Sequence, residues 1–426
     1  MTYPVFSAVL GRLESVWLQH VLASFPEGPF QLQLWDGRRF PAETAHLNVP
    51  IVHVRDQVTL WKLALDPWYQ FGEAYSDGRI QVDGDLTEFL TQIYRTSQTQ
   101  SPGSFRYPRA SWWHAPRQNS VTGSRDNIHH HYDLGNDFYQ LWLDTDLLYS
   151  CAYFPTHSAT LEEAQQAKME LVCRKLRLRS GDRVVEAGCG WGALAIYMAK
   201  HYGVTVRAFN ISSEQLAYAR DRADRERVAD RVKFLRQDWR DIDQPCDAFV
   251  SLGMLEHVGL TNYPQLGRVI RRCLKRGGRG LLHAIGQAQP VRLNSWIERR
   301  IFPGAYPPPL SQMVHLLEPY DLVTLDVENL RPHYAETLRH WTERFEAAVP
   351  AIRARYGERF VKMWRLYLCG STAAFESGAL QLFQVLFAES DNNRLPWTRE
   401  DLYQFNPAGS TSGNILDPAA MAGAEI

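Results

Sequence analysis

The run VVEAGCGWGAL at residues 184–194 constrains the fold of this chain more than any other segment. An apolar strand feeds a turn holding Gly188, Gly190 and Gly192, and the apolar spacing beyond it is helical. Glycine lets the backbone take positive φ and lets a ligand approach without a Cβ in the way. The helix that follows aims unpaired N–H groups at the same place. Around this turn the chain alternates. Strand signals fall at 183–187, 204–209, 232–235, 248–252 and 280–284, with helices running through Lys200 and from Ser213. Thr160 opens a capping-box pattern, T-L-E-E, ahead of a helix ending near Leu178, and 380–387 reads as a late extended strand. The alternation predicts a Rossmann-like α/β domain: a mostly parallel sheet with helices on both faces.

Three glycines do not choose between nucleotides, because several folds share them. Two further details point to S-adenosyl-L-methionine rather than NAD. Glu186 stands before the first glycine, where it can accept hydrogen bonds from an ammonium group. The next strand ends in FNISSEQ, without the acid that usually grips an NAD ribose; Asn210, Ser212 and Gln215 are polar but neutral. QDWRD follows the third strand, so Asp238 is placed to accept from an adenine amino group and Trp239 to cover a ring face.

Four zones are expected: an N-terminal α+β domain over 1–96, a linker over 97–126, the α/β domain over 127–390 and a loose tail over 391–426. In the first, 4–25 has helical spacing, 31–35 is a strand ending at an Asp36-Gly37 turn, and 85–94 is a helix capped by Asp85. The linker carries Arg106, Arg109, Arg117 and Arg125 beside Trp112 and Trp113. With 46 basic against 47 acidic residues, nothing suggests a nucleic-acid partner. Six cysteines show no C-x-x-C pair and no zinc-ligand spacing, so a reduced, cytoplasmic protein without a metal is expected. The start lacks a secretory pattern, and no stretch approaches the roughly 20 apolar residues of a membrane span.

Six motifs in order carry a resemblance: HYDLGNDFY (131–139), YSCAYF (149–154), GCGWG (188–192), EHVG (256–259), LLHAIG (281–286) and HYAETLRHW (333–341). In these the chain resembles the cyclopropane-fatty-acyl-phospholipid synthases, which include the mycolic acid cyclopropane synthases. The resemblance covers about 127–390 and extends weakly into 71–89. It implies a cofactor set of Tyr149, Ser150, Glu186, Gly188, Cys189, Gly190, Trp191, Gly192, Asn210, Gln215 and Trp239. It implies that Cys151, Glu256, His283, Ile285 and Tyr334 surround a bound bicarbonate. It also implies an unsaturated phospholipid substrate met at the inner face of the membrane, an N-terminal domain that handles lipid, and a homodimer. Glu186 stands where the family commonly has Asp, and AYPPPLSQM (305–313), a candidate to shape the acyl channel, departs from the usual segment after IFPG.

The implied chemistry suits those groups. Methyl transfer to an alkene leaves a carbocation, and a base must take a proton from the new methyl before the ring closes. Bicarbonate does this if protein groups hold it beside that carbon. A His and a Tyr donate to an oxyanion, and a Glu accepts its hydroxyl proton. Aromatic faces at Tyr139, Trp142, Tyr149 and Phe154 are candidates to stabilise the cation. Taken singly, Cys151, His283 and Tyr334 also read as ordinary core residues. Three rivals share parts of this pattern: a non-cyclising lipid methyltransferase making branched chains, a small-molecule or nucleic-acid methyltransferase, and an inactive lipid-binding protein.

Overall fold

The computed structural model describes residues 18, 30–40, 49–99, 134–393 and 395–403. The linker tryptophans and arginines, the histidine run 129–131 and most of the first expected helix lie outside them. Leu18, the described residue of that helix, is helical and buried.

A small sheet comes first. Strands β1 (Gln31–Gln33), β2 (Arg39–Phe40), β3 (Ile51–Val54) and β4 (Ile80–Asp83) are ordered β2-β1-β3-β4. The Asp36-Gly37 turn joins β1 to β2, with the Asp36 carboxylate accepting from the Arg38 amide at 3.1 Å. Helices α1 (Gln57–Leu65) and α2 (Pro67–Ser76) connect β3 to β4. Asp85 caps α3 (Leu86–Thr99) by accepting from the Glu88 amide at 3.0 Å, and that helix runs three residues past the boundary expected at 96.

The second sheet has seven strands: β5 (Arg183–Ala187), β6 (Thr205–Asn210), β7 (Val232–Arg236), β8 (Cys246–Leu252), β9 (Leu274–Gln287), β10 (Leu322–Asn329) and β11 (Leu380–Glu389). Their order is β10-β11-β9-β8-β5-β6-β7; the pairs from β9 to β7 are parallel, and β11 and β10 join antiparallel. Short α4 (Asn136–Tyr139) precedes α5 (Leu161–Leu176), which starts on the capping box that Thr160 and Glu163 form. Alternate side chains of β5 face opposite ways. Val184 packs under α5, α6 (Ala193–Tyr202) and α7 (Ser213–Arg225), and Val185 faces the side holding α8 (Leu255–Val258) and α9 (Tyr263–Cys273). Helices α10 (Ser295–Arg300) and α11 (Leu310–His315) follow β9.

Several elements had no counterpart in the sequence reading, and two of them matter most for the site. One is β10. The other is α12 (Arg331–Ser377), 47 residues long with a kink at Gly357, where φ is 81°. This helix lies against α3, and the Thr91 hydroxyl donates to Glu376 at 3.2 Å. Phe30, Val52 and Phe89 of the small sheet's unit therefore share one apolar core with Trp142, Trp341 and Trp364. The boundary at 96 separates two sheets but not two cores. Among the described residues no helix is long and apolar enough to cross a membrane, and no cluster suited to a metal is present.

Candidate active site

The glycine turn is built as its sequence requires. Gly188, Gly190 and Gly192 all have positive φ, at 84°, 52° and 83°. The amides of Gly188 and Cys189 donate to the Phe209 carbonyl at 2.9 and 3.0 Å, tying the turn to β6. A Cβ on Gly192 would stand 2.7 Å from the Phe234 ring and 2.8 Å from Ala219, whereas one on Gly190 would meet nothing within 4 Å. The turn therefore packs on one side and leaves open space on the other.

Polar groups ring that space. The Asn210 amide nitrogen donates to the Gly190 carbonyl at 3.1 Å and to Gln215 at 2.8 Å, and its oxygen accepts from the Ser212 amide at 3.2 Å. Ser212 caps α7 by accepting from the Gln215 amide. The Trp191 indole N–H donates to Asn136 at 2.7 Å, and its ring lies 5.0 Å from Tyr139. Tyr149 and Tyr367 share a hydroxyl–hydroxyl hydrogen bond of 2.7 Å, and Ser150 accepts from Lys168 at 2.8 Å. Asp238 pairs with its neighbour Arg240. Arg240 occupies both its carboxylate oxygens, at 2.9 and 3.0 Å, and covers the Trp239 ring at 4.5 Å.

Glu186 is buried at the end of β5, and its Oε2 has no partner. An unpaired buried acceptor beside an open glycine turn fits an incoming ammonium group, as S-adenosylmethionine carries. Burial pushes the Glu186 carboxyl well above the usual carboxylate range, against the pull of the Lys168 charge. Burial likewise pulls Lys168 below the usual lysine range, and Asp144, Cys151 and Glu186 oppose that.

A second cluster adjoins the first. Glu256 sits on the single turn α8 beyond β8. Two contacts pin this segment. The Gly253 amide donates to the His283 carbonyl at 2.8 Å, and Met254 lies 3.1 Å from where a Gly188 Cβ would be. Glu256 Oε1 accepts from the Ile285 amide at 2.6 Å. Its Oε2 is buried and has no partner, and burial raises its carboxyl pKa to about 7. His283 lies two residues before Ile285 on the same face of β9, and its Nε2 is also buried without a partner. The Ile285 amide is thus already engaged.

Cys151 and Tyr334 join this frame through Leu330. The Cys151 thiol donates to the Ala152 carbonyl at 3.1 Å with the Leu330 carbonyl 3.9 Å away, and the Leu330 carbonyl accepts from the Tyr334 amide at 3.2 Å. The Leu330 amide donates to the Leu382 carbonyl at 2.8 Å, and Leu382 sits opposite Ile285. Burial pushes the Cys151 thiol up, so it stays protonated. Tyr139, Trp142 and Tyr149 belong to one aromatic cluster with Trp191 and Trp341. Phe154 instead stacks on His340, 5.5 Å away and 8° from parallel.

Sequence reasoning overlooked Lys168 and Lys175. Both lie on the buried face of α5, seven residues apart among Ala164, Leu171 and Val172. Lysine repeating on an apolar stripe was the available signal, since an unpaired buried ammonium is costly.

The sheet, the glycine turn and the acid before it, with its unpaired Oε2, define an S-adenosylmethionine-dependent methyltransferase. The chain matches the mycolic acid cyclopropane synthetase family over residues 119–385, and a domain of unknown function over 17–103. It is 36% identical to a probable fatty acid methyltransferase of Pseudomonas putida, over 88% of this chain and 96% of that one. It is 38% identical to the cyclopropane-fatty-acyl-phospholipid synthase of Escherichia coli K12, over 76% of this chain and 84% of that one. Among solved structures it resembles a cyclopropane synthase from Mycobacterium tuberculosis, with a TM-score of 0.60 and 30% identity, covering 62% of this chain and 98% of that one. A mycolic acid cyclopropane synthase complexed with SAH and CTAB gives a TM-score of 0.59 at 30% identity, covering 62% and 97%. The chain belongs to the mycolic acid cyclopropane synthetase family.

Proposed function

We propose that this enzyme converts the cis double bond of an unsaturated acyl chain in a phospholipid into a cyclopropane. One observation carries the reading: two buried polar atoms without partners, Glu256 Oε2 and His283 Nε2, on segments tied together by the Gly253–His283 and Ile285–Glu256 hydrogen bonds. S-adenosylmethionine, when bound, supplies an electrophilic methyl group. Glu186, Asn210, Gln215 and the glycine backbone would hold it, with Tyr149 and Ser150 closing the other side. Bicarbonate fits the Glu256–His283 pair, because a protonated ring nitrogen donates to an oxyanion and a carboxylate accepts its hydroxyl proton. Held there, it supplies the acceptor for the proton that ring closure releases.

The chain's own residues position these groups and exclude water. Tyr139, Trp142 and Trp341 are buried, and their ring faces would stabilise a transient positive charge. The phospholipid as substrate is supported by the printed name of the Escherichia coli relative.

A second reading has its own support, since the Pseudomonas putida relative is named a fatty acid methyltransferase. It makes a methyl-branched chain and needs no ring closure. Incubation with unsaturated phospholipid vesicles and methyl-labelled S-adenosylmethionine decides between them. Upfield cyclopropyl proton signals in the extracted lipid are expected, and branched product alone overturns the first reading. Membrane contact through Trp112, Trp113 and the neighbouring arginines belongs to the same proposal. Vesicle sedimentation unchanged in the Trp112→Ala/Trp113→Ala variant removes it.

A further inference from the structure

Behind the proposed anion site, β10, β11 and β9 carry a polar row. Glu328 stands opposite Gln384, and Gln384 opposite His283, so the three side chains share one face of the sheet. Lys175 reaches down from α5 onto that row. Its ammonium pairs with Glu328 and donates to Gln384 Oε1 at 2.6 Å. The Gln384 amide nitrogen lies 3.1 Å from His283 Nδ1. Lys175, Gln384 and His283 are all buried.

The chemistry of these groups leaves a single arrangement. An ammonium has donors only, so the oxygen of Gln384 must face Lys175. The NH2 of Gln384 then faces the ring and donates, so His283 Nδ1 must be the acceptor. In a neutral imidazole the proton then sits on Nε2. We propose that the Lys175–Gln384 pair locks His283 as the Nε2–H tautomer, making it a hydrogen-bond donor to the bound anion and barring it from acting as the base. Nε2 holds no free lone pair in that state, so the proton lost from the substrate cannot go there. Burial and the charges of Lys168 and Lys175 hold the ring below the usual histidine range, which keeps it neutral. Lys175 and Gln384 are positioning residues. This assignment rests on the proposed function for the identity of the anion, but not for the tautomer.

The test is a two-bond proton–nitrogen spectrum of the full chain labelled with 15N-histidine, with His283 assigned by its loss in His283→Gln. The expected result is an unprotonated Nδ1 and a protonated Nε2, unchanged from about pH 5.5 to 8, the range in which an ordinary histidine titrates. Gln384→Leu should mix the tautomers and lower kcat about tenfold with cofactor affinity kept, as loss of a ring-orienting partner does. In a His283→Gln background the same substitution should add almost nothing, because an amide has no tautomer to lose. A His283 protonated on Nδ1, a ring that titrates in that range, or an equal loss in both backgrounds overturns the proposal. Turnover in carbonate-free buffer separates the two readings. Indifference to bicarbonate with the stated tautomer removes the anion and leaves the lock standing. The reverse tautomer removes the lock whatever bicarbonate does.

Discussion

The two ends of the seven-stranded sheet solve different problems with different materials. At the β5–β6–β7 end the glycine turn grips with backbone: positive φ, amides tied to Phe209, and open space where a Cβ is absent. At the β9–β11–β10 end the work falls to buried polar side chains, Glu256, His283, Gln384 and Lys175. Backbone geometry tolerates changes in neighbouring side chains. A buried polar network does not, because each member left unpaired is costly. The difference teaches that cofactor binding and turnover should separate cleanly under mutation.

Four measurements would break or sharpen that separation. Glu256→Gln should keep S-adenosylmethionine affinity within about twofold by calorimetry while turnover drops by roughly 10²–10⁴, the scale of lost proton-transfer chemistry. If affinity falls in step with turnover, the two ends are one unit. The same substitution should change the pH dependence of stability in the cofactor-free protein. Glu256 has a folded-state pKa raised from 4.5 to about 7. Its protonated form is the one the fold prefers, so its contribution is complete below the unfolded value and lost as pH rises through the folded one. Wild type should therefore lose on the order of 3 kcal/mol between about pH 4.5 and 7 that Glu256→Gln does not lose. Urea unfolding across that window would show it, and a constant difference between the two proteins would contradict the burial of this acid.

At the other end, Gly192→Ala forces a Cβ to 2.7 Å from Phe234 at a φ of 83°. It should cost about 2–3 kcal/mol in stability or cofactor affinity, with the per-turnover rate at saturation nearly intact. A variant that binds normally but turns over slowly would reverse the assignment of the ends. Smallest is Thr160→Ala, which removes the cap of α5 and should cost about 1 kcal/mol by chemical unfolding. Because α5 carries Lys168 over one end and Lys175 over the other, a loss of affinity and rate together would mark it as the bridge between them.

The backbone-built end was legible in the sequence. The strand expected at 183–187 is β5, and the capping box at Thr160 is formed as read. Periodicity and glycine spacing are local signals, and this end is made of local structure. The other end was only partly legible. Motif order singled out Glu256, His283 and Tyr334, but not the turn that holds Glu256 or the partner that orients His283. Gln384 and His283 are 101 residues apart and meet only because β11 pairs antiparallel with β9. No local pattern announces such a pairing. The kinked α12 and its shared core with the small sheet escaped for the same reason.

That shared core sets a condition on shorter homologues. Two solved relatives are matched along nearly their whole length while covering 62% of this chain. A protein that dispenses with the small sheet inherits a long helix whose outer stripe has lost its cover. The stripe around Cys369 and Gly370, which lies against Thr87 and Leu90, would then face water, so such a protein must repaint it with hydrophilic residues or recruit a lid from elsewhere. Excising the first hundred residues from this chain, with the stripe left as it is, should yield sticky, aggregating material rather than a minimal enzyme.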